Sequence, residues 1–122
     1  MSRSKRFEDL AVWQRAHTWV LAVYKHTALF PRHELFGLTS QWRRAAVSVP
    51  SSIAEGFKKR TKPEKARYYN IAQASLEECR YYAILSRDLG YGDTMALSSE
   101  LDEISRMLEA YLSRMLATMP PR

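Results

Sequence analysis

Lys58, Lys59, Arg60, Lys62, Lys65 and Arg67 place six cations within ten residues, opposed there by Glu64 alone. The chemistry such a run points to is phosphate binding. Flexible lysines and forked arginines neutralise phosphates and displace their counterions. A helix starting near Thr61 would add the positive potential of its first amides. Arg43 and Arg44 extend the basic character upstream, and Tyr68 and Tyr69 adjoin the run as candidate stacking surfaces. Nothing nearby reads base edges, so the expected contact is with a nucleic-acid backbone, RNA or DNA, and is salt-sensitive. The same charges also suit a solvated helix face, or the acidic patch of a protein partner. The residues alone leave all three readings open.

Other chemistries lack their partners. A di-iron bundle needs Glu-x-x-His pairs on facing helices, and none of His17, His26 and His33 has a glutamate three residues before it. His17 instead falls on an apolar stripe, as a hydrogen-bonded core or interface residue would. Cys79 is the only cysteine; its mid-helix position fits a small buried group better than a nucleophile. Glu77 and Glu78 are adjacent around a helix and form no carboxylate pair. Ser2-Arg3-Ser4-Lys5 matches S-x-x-K, but a frayed tail offers a serine no activating pocket. Phosphate-cradling glycine motifs are absent. A non-enzymatic protein with no metal, no cofactor and no catalytic residue is expected.

The elements that must carry the cluster follow from composition and pattern. The chain has 122 residues, 46% of them apolar, enough for one core in one domain. Four Gly and five Pro supply little of what an all-β fold spends on turns. A lone cysteine suits a reducing cytoplasm. No secretory leader is evident, and no apolar run nears the roughly 18–20 residues that span a bilayer. Residues 1–67 hold 14 Lys/Arg against 5 Asp/Glu, whereas residues 68–122 hold 5 against 8. That asymmetry implies a polyanion on one side or a self-complementary assembly.

Leu10, Trp13, His17, Val20, Tyr24 and Thr27 recur at steps of three and four, predicting a first helix from about Asp9 that Phe30-Pro31 stops. A second is predicted from about His33, with Leu35, Leu38, Trp42, Ala45, Val49, Ser52 and Ile53 inward, Gly37 inside it, a kink or break at Pro50, and Gly56 near its end. Thr61-Lys62-Pro63-Glu64 reads as a capping box opening a third helix that runs to about Leu89. Its inward face is Ala72, Ser75, Cys79, Tyr82, Ser86 and Leu89. After Gly90-Tyr91-Gly92, Asp93 can cap a fourth, patterned by Leu97, Leu101, Ile104, Leu108, Tyr111 and Met115. Met107, Leu112, Leu116 and Met119 widen that stripe enough for a second neighbour or another subunit, and Pro120-Pro121 closes the chain. The expected fold class is all-α, an antiparallel up-down-up-down four-helix bundle over residues 7–119, after a flexible basic tail of residues 1–6.

Several stretches then resemble one known family. Phe7-Glu8-Asp9-Leu10 with Trp13, Phe30-Pro31, Glu34-Leu35-Phe36-Gly37-Leu38, Gln41 and Arg43-Arg44-Ala45-Ala46 are similar to the bacterial four-helix-bundle proteins encoded in intervening sequences of large-subunit (23S) ribosomal RNA genes. Val49-Pro50-Ser51-Ser52-Ile53-Ala54-Glu55-Gly56 is the most distinctive match, with Ser52 where that family often has Asn; Ser75-Leu76-Glu77-Glu78 and Asp88-Leu89-Gly90-Tyr91 complete it. The resemblance implies a bundle that assembles into a ring-like homopentamer, and no catalytic residues. It also implies kinship in fold with the accessory protein of diversity-generating retroelements, which binds nucleic acid through a basic surface. Within the distinctive stretch, Ala54 and Gly56 allow close helix approach, and Glu55 is spaced to pair with Lys58 or Lys59. Gln41, Arg43 and Glu55 are alternatively candidates for contacts between subunits.

Overall fold

The computed structural model describes residues 4–117. Within them are four helices and no strand: α1 (Ala11–Thr27), α2 (Leu38–Lys58), α3 (Lys62–Asp88) and α4 (Met95–Ala117). Each packs on two others. The most extensive contact is between α2 and α3; α1 meets α2 and α4, α3 meets α4, and the diagonal pairs make no close backbone contact. The core lies between them, filled by Trp19, Trp42, Tyr69, Ile53, Leu76 and Ile104 among its largest members. Among the described residues no helix is long and apolar enough to cross a membrane.

Local chemistry sets the helix ends. A 3-10 turn, Phe7–Asp9, precedes α1, and the Asp9 carboxylate accepts the N–H groups of Lys5 and Arg6, both at 3.2 Å. Past Thr27 the chain folds Phe30 back into the core, and Pro31 leads into a second 3-10 turn, Arg32–Glu34. Glu34 then serves two elements. Its Oε1 accepts the Leu38 N–H at 3.3 Å, and its Oε2 accepts the Tyr91 hydroxyl at 2.8 Å. Thr61 caps α3 as its spacing predicts, its hydroxyl oxygen accepting the Glu64 N–H at 3.3 Å. Gly90 and Gly92, at φ +82° and +121°, make the turn into α4 in a backbone region side chains disfavour. The Asp93 carboxylate accepts the Met95 N–H there at 2.9 Å.

Several expectations need correction. The buried face of α1 is Val12, Ala16, Trp19, Val20, Val23 and Thr27. Trp13 is only half-buried, and His17 and Tyr24 are exposed, His17 stacked on Trp13 with ring centroids 5.1 Å apart. Leu10, Val20 and Thr27 of the expected stripe are buried, and the inward face runs otherwise through Val12, Ala16, Trp19 and Val23. Leu35 and Leu89 are exposed, because α2 starts only at Leu38 and α3 ends at Asp88. Gly37 is the N-cap of α2 rather than an interior residue, and α2 continues through buried Pro50 without a break. Gly56 does not stop α2; a Cβ there would sit 2.8 Å from Tyr69 Cε1, so glycine permits the α2–α3 approach. The expected stripes of α2 and α4 otherwise hold: Leu38, Trp42, Val49 and Ile53, and Leu101, Ile104 and Leu108, are buried. Met119, Pro120, Pro121 and the first three residues of the basic tail lie outside the described residues.

Candidate nucleic-acid interface

The end of α2 and the start of α3 meet at Lys59-Arg60-Thr61, which gathers the cluster at one end of the molecule. Its cations do different work. Lys65 is structural: its ammonium donates to the Phe57 carbonyl at 2.6 Å and the Gly56 carbonyl at 3.3 Å. These are carbonyls of the last turn of α2, where a cation complements the negative helix end. Burial lowers the pKa of this amine. Lys59 lies over the Tyr68 ring, 4.9 Å from its centroid, and Lys62 is half-buried. Lys58, Arg60 and Arg67 are exposed, and among the described residues none of the three makes an ion pair.

The nearby acids do not neutralise them. Glu64 Oε1 accepts the Thr61 hydroxyl at 2.9 Å, which ties it to the cap. Glu55 pairs with neither Lys58 nor Lys59, although its spacing allows both. Four arginines elsewhere are compensated, Arg15 by Glu100 at 2.7 Å, Arg80 by Asp102 at 2.6 Å, Arg87 by Asp88 at 3.0 Å and Arg106 by Glu103 at 2.7 Å, whereas Lys25, Arg32 and Arg44 form no ion pair among the described residues.

Arg43 and Arg44 stand apart from this end. Fourteen residues of helix separate Arg44 from Lys58, about 21 Å along the axis at 1.5 Å per residue. Arg43 is spent inside the molecule, donating to Thr27 Oγ1 at 2.8 Å and the Tyr24 carbonyl at 3.2 Å, with its guanidinium 4.5 Å from the centre of the Tyr24 ring. Arg44 is exposed and lines a groove with Tyr24, Leu35, Phe36, Thr39, Ser40 and Arg43. Gln41 accepts the Tyr82 hydroxyl at 3.4 Å. Of the two candidate stacking tyrosines, Tyr69 is fully buried, its ring edge-on to Tyr111, and cannot meet a base; Tyr68 is half-buried.

Two basic residues missing from the cluster as read from sequence join it in space. Lys5 and Arg6 line a groove with Phe7, Glu8, Ala54, Phe57 and Lys58. The available signal was Asp9, which can cap the turn that brings them in.

Other reactive groups are not poised for chemistry. Burial pushes the Cys79 thiol up to about 12, far from a thiolate. A short hydrogen bond to Glu78, at 2.6 Å, together with desolvation, pushes the Tyr82 hydroxyl up to about 12. Among the described residues no group of three His, Cys, Asp or Glu side chains is placed to hold a metal ion.

One protein-family model, described as 23S rRNA-intervening sequence protein, matches residues 8–110. No curated protein matches the chain.

Proposed function

The chain belongs to the 23S rRNA-intervening sequence protein family, and from that premise we propose that it is a non-enzymatic, homo-oligomeric helical bundle that binds nucleic acid. Its binding surface is the basic end, with Lys58, Lys59, Arg60, Lys62 and Arg67 facing phosphates and Lys65 holding the helix end beneath them. One observation carries this reading: Lys58, Arg60 and Arg67 lack carboxylate partners at the same end, while four arginines elsewhere are ion-paired. The contact is with the backbone of RNA or DNA. The test is fluorescence anisotropy of labelled RNA, single-stranded DNA and duplex DNA at about 50 and 200 mM salt. Binding that falls steeply with salt, and is lost when Lys58, Lys59, Arg60 and Lys62 are changed to Glu with helicity retained, supports it. Binding that survives those changes moves the site elsewhere.

Within this reading the bundle is antiparallel, up-down-up-down, and the cross-helix pairs favour it. Arg15 meets Glu100 while Trp19 donates to the Leu97 carbonyl, and Gln73 meets Ser105 while Arg80 meets Asp102. Ser48 meets Ser75 while Gln41 meets Tyr82. In each case residue numbers rise on one helix as they fall on its neighbour. We propose further that it works as a cytoplasmic pentamer; self-association as such draws support from apolar side chains left on the outside, including Leu21, Val47, Phe36 and Tyr81. Light scattering checks it, and a monomer at micromolar concentration overturns it. In a ring the basic ends would act together, with avidity one copy lacks.

A second reading, an adaptor for an acidic protein partner, is favoured by the groove that pairs Arg44 with Phe36, whose side chain is 92% exposed. Changing Phe36 to Ser and Arg44 to Glu should then remove the partner and spare nucleic-acid binding.

A further inference from the structure

The segment before α1 and the last turns of α2 line one groove, the first with Lys5, Arg6, Phe7 and Glu8, the second with Ala54, Phe57 and Lys58. The segment before α1 is anchored. The Asp9 carboxylate accepts two main-chain N–H groups from it, Gln14 donates to the Glu8 carbonyl at 2.8 Å, and the Phe7 ring packs edge-on to Trp13, centroids 5.0 Å apart. Among the described residues the side chains of Lys5, Arg6 and Lys58 form no ion pair. The Lys65 ammonium lies over one face of the Phe57 ring, 5.4 Å from its centre, adding positive charge there.

We propose that this groove receives a single-stranded nucleic acid, with phosphates on Lys5, Arg6 and Lys58 and a base laid against Phe57. The inference rests on the nucleic-acid reading above and adds the residues and the ligand class. Cations and an aromatic ring lining one groove match a strand whose backbone and base faces are both within reach. A duplex keeps its base faces stacked inside and offers this groove only phosphate. Glu8, the one acid among the lining residues, opposes phosphate and sets an internal control.

The experiment compares a labelled oligouridylate with an RNA duplex of equal length, by anisotropy at about 50 and 200 mM salt. Replacing Lys5 and Arg6 with Ala, both exposed, should weaken oligouridylate binding about tenfold and reduce the salt slope by about one to two. Phe57→Leu should weaken the single strand more than the duplex, and Glu8→Gln should tighten it. If the wild type binds and the Lys5/Arg6 variant keeps its affinity and slope, the groove is not the site, while the Lys58–Arg67 surface stands. Equal affinity for duplex and single strand, with Phe57→Leu affecting neither, overturns the ligand class. No binding of either probe at low salt overturns the wider reading as well.

Discussion

The two ends of the bundle are built on opposite terms. At the end formed by the α1–α2 connection and the α3–α4 turn, the rings of His26, Phe30, Trp42 and Tyr91 pack on one another with centroids 5.2 to 6.0 Å apart. Glu34 there ties the start of α2 to Tyr91. At the other end Lys58, Arg60 and Arg67 project without ion-pair partners, and the main stabilising polar contacts are Lys65 on the α2 carbonyls and the Thr61 cap. One end holds helices together through aromatic area and the Glu34 hydrogen bonds, although His26 Nε2 and Trp42 Nε1 are buried there without a hydrogen-bond partner among the described residues. The other tolerates repulsion among like charges, which costs stability unless a polyanion relieves it. Stability and binding should therefore separate by position.

The largest effect expected is at the aromatic end. Trp42 is fully buried and packs on His26 and Phe30, so Trp42→Ala should cost about 3–5 kcal/mol, read as a lower denaturant midpoint. The fraction that remains folded should keep its nucleic-acid affinity, and a loss of affinity would show that the two ends are coupled. Gly56→Ala comes next and sharpens the contrast from the other side. The added methyl meets the Tyr69 ring at 2.8 Å and Tyr68 Cβ at 3.0 Å. Overpacking of about 1–3 kcal/mol is offset in part by the roughly 1 kcal/mol that alanine gains over glycine within a helix. Because Gly56 sets the spacing beneath Lys58 and Lys59, this variant should lose both stability and affinity.

What could be read without coordinates divides along the range of the interactions. The bond from the Glu64 N–H to Thr61 and that from the Met95 N–H to Asp93 need only residues a few positions apart, and both are present. The inward faces of α2 and α4 were legible because each helix has one dominant stripe. For α1 the pattern was half right: Leu10, Val20 and Thr27 are buried, but Trp13, His17 and Tyr24 turn outward while Val12, Ala16, Trp19 and Val23 pack inward. The basic cluster was visible as a run of charge, but not its division of labour. That Lys65 caps a helix, that Arg43 spans α1 and α2, and that Lys5 and Arg6 share a groove with Lys58 are consequences of tertiary placement.

Acidification offers the mildest way to set one end against the other. Burial lowers the pKa of His26, partly opposed by the charge of Asp93, and His26 packs on Phe30 and Trp42 beside Gly92. Below its ordinary value near 6.5 the unfolded chain binds a proton that the folded chain resists, so stability falls as pH drops through that range. Glu34 acts in the same direction lower down. The hydrogen bond from Tyr91, and then that from the Leu38 N–H, depress its pKa, so its contribution is present above the ordinary carboxylate value and is lost as pH falls through the folded one. Both groups sit at the aromatic end. At the basic end burial lowers the pKa of Lys65 and raises that of Tyr69, an amine and a phenol whose ordinary values lie far above this range. Hydrogen exchange between pH 7 and 4, corrected for the intrinsic rates, should therefore show protection lost first around Phe30, Trp42 and Tyr91, with amides near Gly56 and Tyr69 holding longer. His26→Phe should flatten the upper part of that profile. Uniform loss of protection along the chain would mean that the two ends open as one unit, and that the division between them is chemical but not energetic.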